Sequence, residues 1–98
     1  FVIPGTCDIH VHASQASFQG IGQNIENGQW NTWFDRYAFP DESRFNDIAY
    51  AEQAYTRFAE SLLATPTTRL CAYATTSREA TEILMKVLAK YGFAGYCR

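Results

Sequence analysis

Apolar residues recur along this chain with two different spacings. In "CDIHVH", residues 7 to 12, they alternate: Cys7, Ile9 and Val11 point one way and Asp8, His10 and His12 the other. That period of two is the mark of a half-buried strand. The "FVI" before it is also β-branched, and Pro4-Gly5 between the two is a turn or kink signal. Residues 13 to 29 hold three glycines and many amides with no periodicity. They read as a long loop with room for one helical turn, and loops of this length tend to be functional.

The spacing then changes to that of a helix. Trp30, Trp33, Phe34 and Tyr37 stand at offsets 0, 3, 4 and 7, which predicts an amphipathic helix of about three turns with an aromatic core stripe. Phe39-Pro40 should end it, because a residue before proline is pushed out of the helical region. After the charged connector "DESRF", Asn46 or Asp47 can cap a second helix running to about Ala64. Its apolar stripe is Ile48, Ala51, Tyr55, Phe58 and Leu62, with Glu52, Gln53, Arg57, Glu60 and Ser61 on the wet side. Pro66 breaks the chain, and Thr67 to Ala74 read as a strand. Thr76 with Glu79 has the spacing of a capping box and opens a third helix. Ala80, Ile83, Leu84, Val87, Leu88 and Tyr91 form its buried stripe, and Gly92 sits where a left-handed C-terminal cap belongs. "FAGYC" begins another strand. Strands alternating with amphipathic helices predict βαβ units and a parallel sheet, an α/β protein.

Composition narrows the reading. The chain has 98 residues, of which 47% are apolar and 15% aromatic, enough for one small core and not for two domains. A net charge of −2 with only two lysines argues against a nucleic-acid surface, which needs clustered basic groups. No apolar run approaches a membrane span. Cys7, Cys71 and Cys97 are odd in number and never paired as CxxC. They read as free, buried thiols of a reducing compartment, which predicts a cytoplasmic protein.

Both histidines of the chain, His10 and His12, lie two apart near the end of the first strand. On a strand, i and i+2 share a face about 6.6 Å apart along the chain. Two imidazoles so placed can share a zinc-like ion at about 2.0–2.1 Å from each nitrogen, with Asp8 as a hydrogen-bond acceptor that orients a ligand. Structural histidines satisfied by ordinary neighbours are the other reading of an HxH pair. Ser14 has no nearby relay of His and Asp, so it is not a candidate nucleophile. Asp41, Glu42, Glu52 and Glu60 read as solvated faces or caps.

"IPGTCDIHVH" resembles the PGxxDxHxH motif that opens the barrel of the amidohydrolase superfamily. "HASQ" at 12–15 and "WFDRYAFPDESRF" at 33–45 resemble, within it, the guanine deaminase family, whose pattern W-x3-Y-x-F-P-x-E-x-R-F is matched by Trp33, Tyr37, Phe39, Pro40, Glu42, Arg44 and Phe45. "YAEQAYTRF" and the element lengths after it follow the same family. The resemblance implies a partial (β/α)8 TIM-type barrel, with the first two βα units and the start of a third strand over residues 1–98, a segment of a larger catalytic domain. It implies a zinc-dependent conversion of guanine and water to xanthine and ammonia, with His10 and His12 as metal ligands and Ser14 and Gln15 lining the purine pocket. A homodimer is implied for the intact enzyme. The family's other ligands, its catalytic glutamate and its pocket arginine come from later strands, so this chain alone is expected to be inactive.

Two positions depart from the family pattern. Where it usually has Asn-Gly-Thr-Thr-Thr, this chain has Thr65-Pro66-Thr67-Thr68-Arg69. Proline cannot take the positive φ of a glycine at a helix exit. Arg69 puts a charge into a strand that would be covered on both faces. Together with ends that read as cut, these changes suggest a partial or decaying gene product. Two other readings stand beside the resemblance: another amidohydrolase of the chlorohydrolase or deaminase type, or a small non-catalytic α/β module that associates through its open strand edges.

Overall fold

A computed structural model describes residues 1–26 and 28–98. Strand β1 (Thr6–His12) passes into a 3-10 helix, Ala13–Phe18. A helical run follows: α1 (Trp30–Trp33), a π-helical turn (Phe34–Ala38), α2 (Phe39–Ser43) and a 3-10 turn (Arg44–Asn46). Then come α3 (Ile48–Leu62), β2 (Thr67–Tyr73), α4 (Arg78–Lys90) and β3 (Ala94–Cys97). The three strands are parallel in the order β1-β2-β3. The α/β class and the parallel sheet therefore match the sequence pattern. Residues 1 to 5 lie outside the strands, and Phe1, Val2 and Ile3 are exposed. The β-branched Val2 and Ile3 find no neighbouring strand among the described residues.

The first helix does not stop at Phe39-Pro40. The Phe39 N–H reaches the Phe34 carbonyl, five residues back, so the turn widens just before proline, which has no N–H to give and whose ring crowds an ordinary turn. Pro40 then occupies the first turn of α2, where a missing donor costs least. The extra residue also changes which side chains are inside. Trp33 and Ala38, five apart, are buried, while Trp30 and Phe34 of the expected stripe are exposed. Trp33 still anchors the region: its indole N–H donates to the Ile21 carbonyl at 3.0 Å.

α3 starts as expected, with Asp47 Oδ1 accepting from the amides of Ala49 and Tyr50 at 3.0 and 3.3 Å. α4 starts one residue later than the Thr76 reading. The Thr75 hydroxyl holds the Ser77 amide, and Ser77 Oγ then caps the helix by accepting from Ala80 at 3.3 Å. Gly92 has φ +82°. Around it the amides of Phe93 and Gly92 donate to the carbonyls of Leu88 and Ala89, each at 3.0 Å, a Schellman ending.

Leu70 and Ala72 of β2 join Tyr55, Phe58, Ala59 and Leu62 of α3 and Ala80, Leu84, Val87 and Leu88 of α4 in one buried cluster. The helices thus cover one face of the sheet. On the other side Cys7, Arg69 and Tyr96 are exposed. This corrects the expectation of three buried thiols: Cys7 is exposed, and Cys71 and Cys97 are half-buried, all free. Burial, and secondarily Cys71, pushes the Cys97 thiol up. Arg69 keeps its water here, so its charge is not desolvated. The helix exit at Pro66 needs no glycine. The Thr65 hydroxyl donates to the Leu62 carbonyl at 2.7 Å and accepts from the Thr67 amide at 3.2 Å, while the Pro66 carbonyl accepts from Thr6 at 2.8 Å and starts the β1–β2 ladder. No helix among the described residues is long and apolar enough to cross a membrane.

Tyr55 is fully buried, and its hydroxyl has no hydrogen-bond partner among the described residues. Burial, the main cause, pushes its pKa up to about 12; nearby Thr75 opposes the rise, and Cys97 and Glu42 add to it. A folded-state pKa above the unfolded value contributes stability that is complete below pH 10 and is lost as pH rises towards 12. Urea melts between pH 9 and pH 12 should show this loss in the wild type. Tyr55→Phe should flatten it and, by removing an orphan hydroxyl, leave neutral-pH stability unchanged or raised by about 1 kcal/mol.

Candidate metal centre

β1 and β2 do not run in even register. Asp8 pairs with Leu70 and Val11 with Ala72, so three steps on β1 meet two on β2, a β-bulge at Ile9 and His10. The cause lies in the strand itself. Asp8 Oδ1 accepts the backbone N–H of His10 at 3.0 Å, which turns that donor away from the ladder. Asp8 thus accepts a hydrogen bond from the backbone of a candidate ligand.

The two imidazoles converge. His10 Nε2 and His12 Nε2 are 3.1 Å apart, close enough for one ring to donate to the other, and the ring centroids lie 5.1 Å apart. Two nitrogens bound tetrahedrally to one zinc ion at 2.0–2.1 Å would be about 3.3 Å apart. The pair therefore fits a shared ion with a displacement of a few tenths of an ångström. His12 is held below its ordinary pKa, by burial first and by neighbouring His10 second, with Glu42 opposing. The neutral ring favoured in this way is the form that binds metals. Among the described residues no group of three or more His, Cys, Asp and Glu side chains stands together as a metal cage.

Ser14 and Gln15 follow on the 3-10 helix and separate. Ser14 is 1% exposed, and its Oγ has no hydrogen-bond partner among the described residues. It lines a cavity of about 340 Å³ against α3, with Phe45, Tyr50, Ala54, Arg57 and Phe58, and neither histidine takes part in that wall. Gln15 is half-exposed and does not line it. The structure thus brings His10 and His12 together and sets Ser14 among other neighbours. Two further residues join the pair. Tyr73, the register partner of His12, stacks on it at 4.9 Å and 17° and lies 4.5 Å from the His10 ring. Glu42, half-buried on α2, is near enough to favour the charged form of His12. The alternation of Leu70 and Ala72 sets the face on which Tyr73 lies, while the strand register, distant in sequence, sets its partner. The position of Glu42 depends on the π turn.

No protein-family model matches the chain. A guanine deaminase of Dictyostelium discoideum and one of Homo sapiens are each 38% identical to it over 92 residues, 94% of this chain and 20% of those proteins. The chain is similar to a segment of guanine deaminases. It spans about a fifth of the length of these relatives. The structure of a C. acetobutylicum guanine deaminase with guanine bound in its active site superposes with a TM-score of 0.88 at 37% identity, over 97% of this chain and 22% of that one. A Bradyrhizobium japonicum guanine deaminase gives 0.83 at 29% identity, over 96% and 19%. The guanine deaminase likeness therefore holds in backbone and sequence alike, across nearly all of the residues described above.

Proposed function

We propose that this chain is the segment of a guanine deaminase-type amidohydrolase that supplies two ligands of a catalytic divalent metal, His10 and His12. The observation that carries the reading is the 3.1 Å separation of their Nε2 atoms, a spacing suited to one shared ion. Its sheet is the first part of a (β/α)8 barrel, a reading supported by the superposition on C. acetobutylicum guanine deaminase. Zinc suits two imidazole ligands, and when bound it would lower the pKa of a water towards 7 for attack on the purine carbon. Within the chain, Asp8 holds the His10 backbone at the bulge. The Gln15 amide offers both a donor and an acceptor to the edge of guanine. Ser14, whose side chain lines the cavity against α3, is left out of this contact.

Two histidines do not complete a four-coordinate ion, so the isolated chain should release no xanthine from guanine. Co-expressed with the remainder of the C. acetobutylicum enzyme, from which the matching segment has been deleted, it should restore xanthine formation. His10→Ala and His12→Ala should each remove that activity by at least about a hundredfold, the scale of losing a metal ligand or its support. Complementation that survives both substitutions would overturn the assignment.

A further inference from the structure

We propose that Tyr73 is a positioning residue that holds the imidazoles of His10 and His12 in their converging orientation. The inference rests on the reading of the two histidines as metal ligands and goes beyond it by naming what orients them. Free on a strand, each imidazole samples several rotamers, and only some of them bring both Nε2 atoms to one point. Two contacts select those rotamers. Tyr73 is level with His12 across the β1–β2 ladder, so its ring stacks on the neighbouring imidazole at 4.9 Å and 17°, close to the spacing of adjacent strands. His10 lies two residues back, a diagonal neighbour within reach of an aromatic side chain, and its ring lies 4.5 Å from Tyr73, next to the bulge between Asp8 and Val11. One aromatic ring thus contacts both candidate ligands.

Tyr73 is itself constrained. It ends β2, is half-buried, and follows Ala72, which is fully buried in the core. Holding the two rings in place before an ion arrives removes part of the ordering cost of binding. An aromatic pair contributes modestly, so the expected gain in affinity is severalfold and not thousandfold.

The test uses the 98-residue chain with labelled histidine and two variants, Tyr73→Phe and Tyr73→Leu, with circular dichroism to confirm folding. In the wild type, NMR should show nuclear Overhauser contacts from the Tyr73 ring to both imidazoles and upfield-shifted imidazole protons. Tyr73→Phe should keep the upfield shifts. Tyr73→Leu should lose them, and zinc chloride titrated into the samples should bind it about fivefold more weakly than wild type or Tyr73→Phe. Absence of the Tyr73 contacts in the wild type would overturn the proposal. So would a folded Tyr73→Leu chain with unchanged imidazole shifts and unchanged zinc affinity. If zinc leaves the wild-type imidazole signals unmoved, the metal reading fails, while the contacts and shifts still decide the role of Tyr73.

Discussion

Replacing Gly95 with alanine should separate β3 from β2. Gly95 has φ +142°, and a Cβ built there would lie 1.8 Å from the Leu70 carbonyl oxygen, its ladder neighbour. That oxygen belongs to the backbone of the central strand and cannot swing aside. The strained φ is also one that side chains rarely adopt, at a cost on the order of 1–3 kcal/mol. β3 has only four residues to hold its place. The expected loss is about 3 kcal/mol or more, read as a lower urea midpoint and as faster amide exchange in β3 than in β1. Gly20→Ala is the control, because Gly20 also has positive φ (+80°) but none of the described residues lies within 4 Å of the new carbon. It should lose only about 1 kcal/mol. Equal losses at the two sites would show that the clash with Leu70 plays no part.

Leu84→Ala should cost about 4 kcal/mol, near the upper part of the range for a buried leucine. Leu84 is fully buried in the cluster that joins α4 to α3 and β2. In a domain near the lower end of the usual 5–15 kcal/mol of stability, that loss would leave a measurable unfolded fraction at 37 °C. Met85 is its neighbour on the same helix but is 55% exposed, and Met85→Ala should change stability by less than about 0.5 kcal/mol. Chemical denaturation of both variants measures the contrast. A small effect at Leu84 would mean that the helix packs less tightly against the sheet than its burial indicates.

Much of this architecture is legible in the residues because local chemistry and packing agree. Asp47 reads as a cap and is one. Ala51, Tyr55, Phe58 and Leu62 read as a buried stripe and are buried. Gly92 reads as a left-handed ending and closes α4. The convergence of His10 and His12 follows from the period of a strand, even though a bulge interrupts it. What stays hidden is set by register and by neighbours distant in sequence. Ile48 fits the apolar stripe of α3 and yet is 45% exposed, because it stands in the first turn, beyond the reach of the sheet. Ser14 follows the histidines by two residues and turns its hydroxyl to α3. Tyr73 becomes the partner of both imidazoles only through strand pairing that no local pattern encodes.

The five-residue turn at Phe34–Ala38 acts as an angular spacer. An ordinary helix advances roughly 100° for each residue, so deleting one residue there would rotate everything from Phe39 onward by about that amount relative to Trp33. Glu42 would swing away from His12, and Asp41 would leave Ser17, to which it is now joined at 3.4 Å. The carboxylate whose field reaches His12 is thus aimed by the length of the helix before it, and a shortened homologue would need another acid, elsewhere in its sequence, to set the same field.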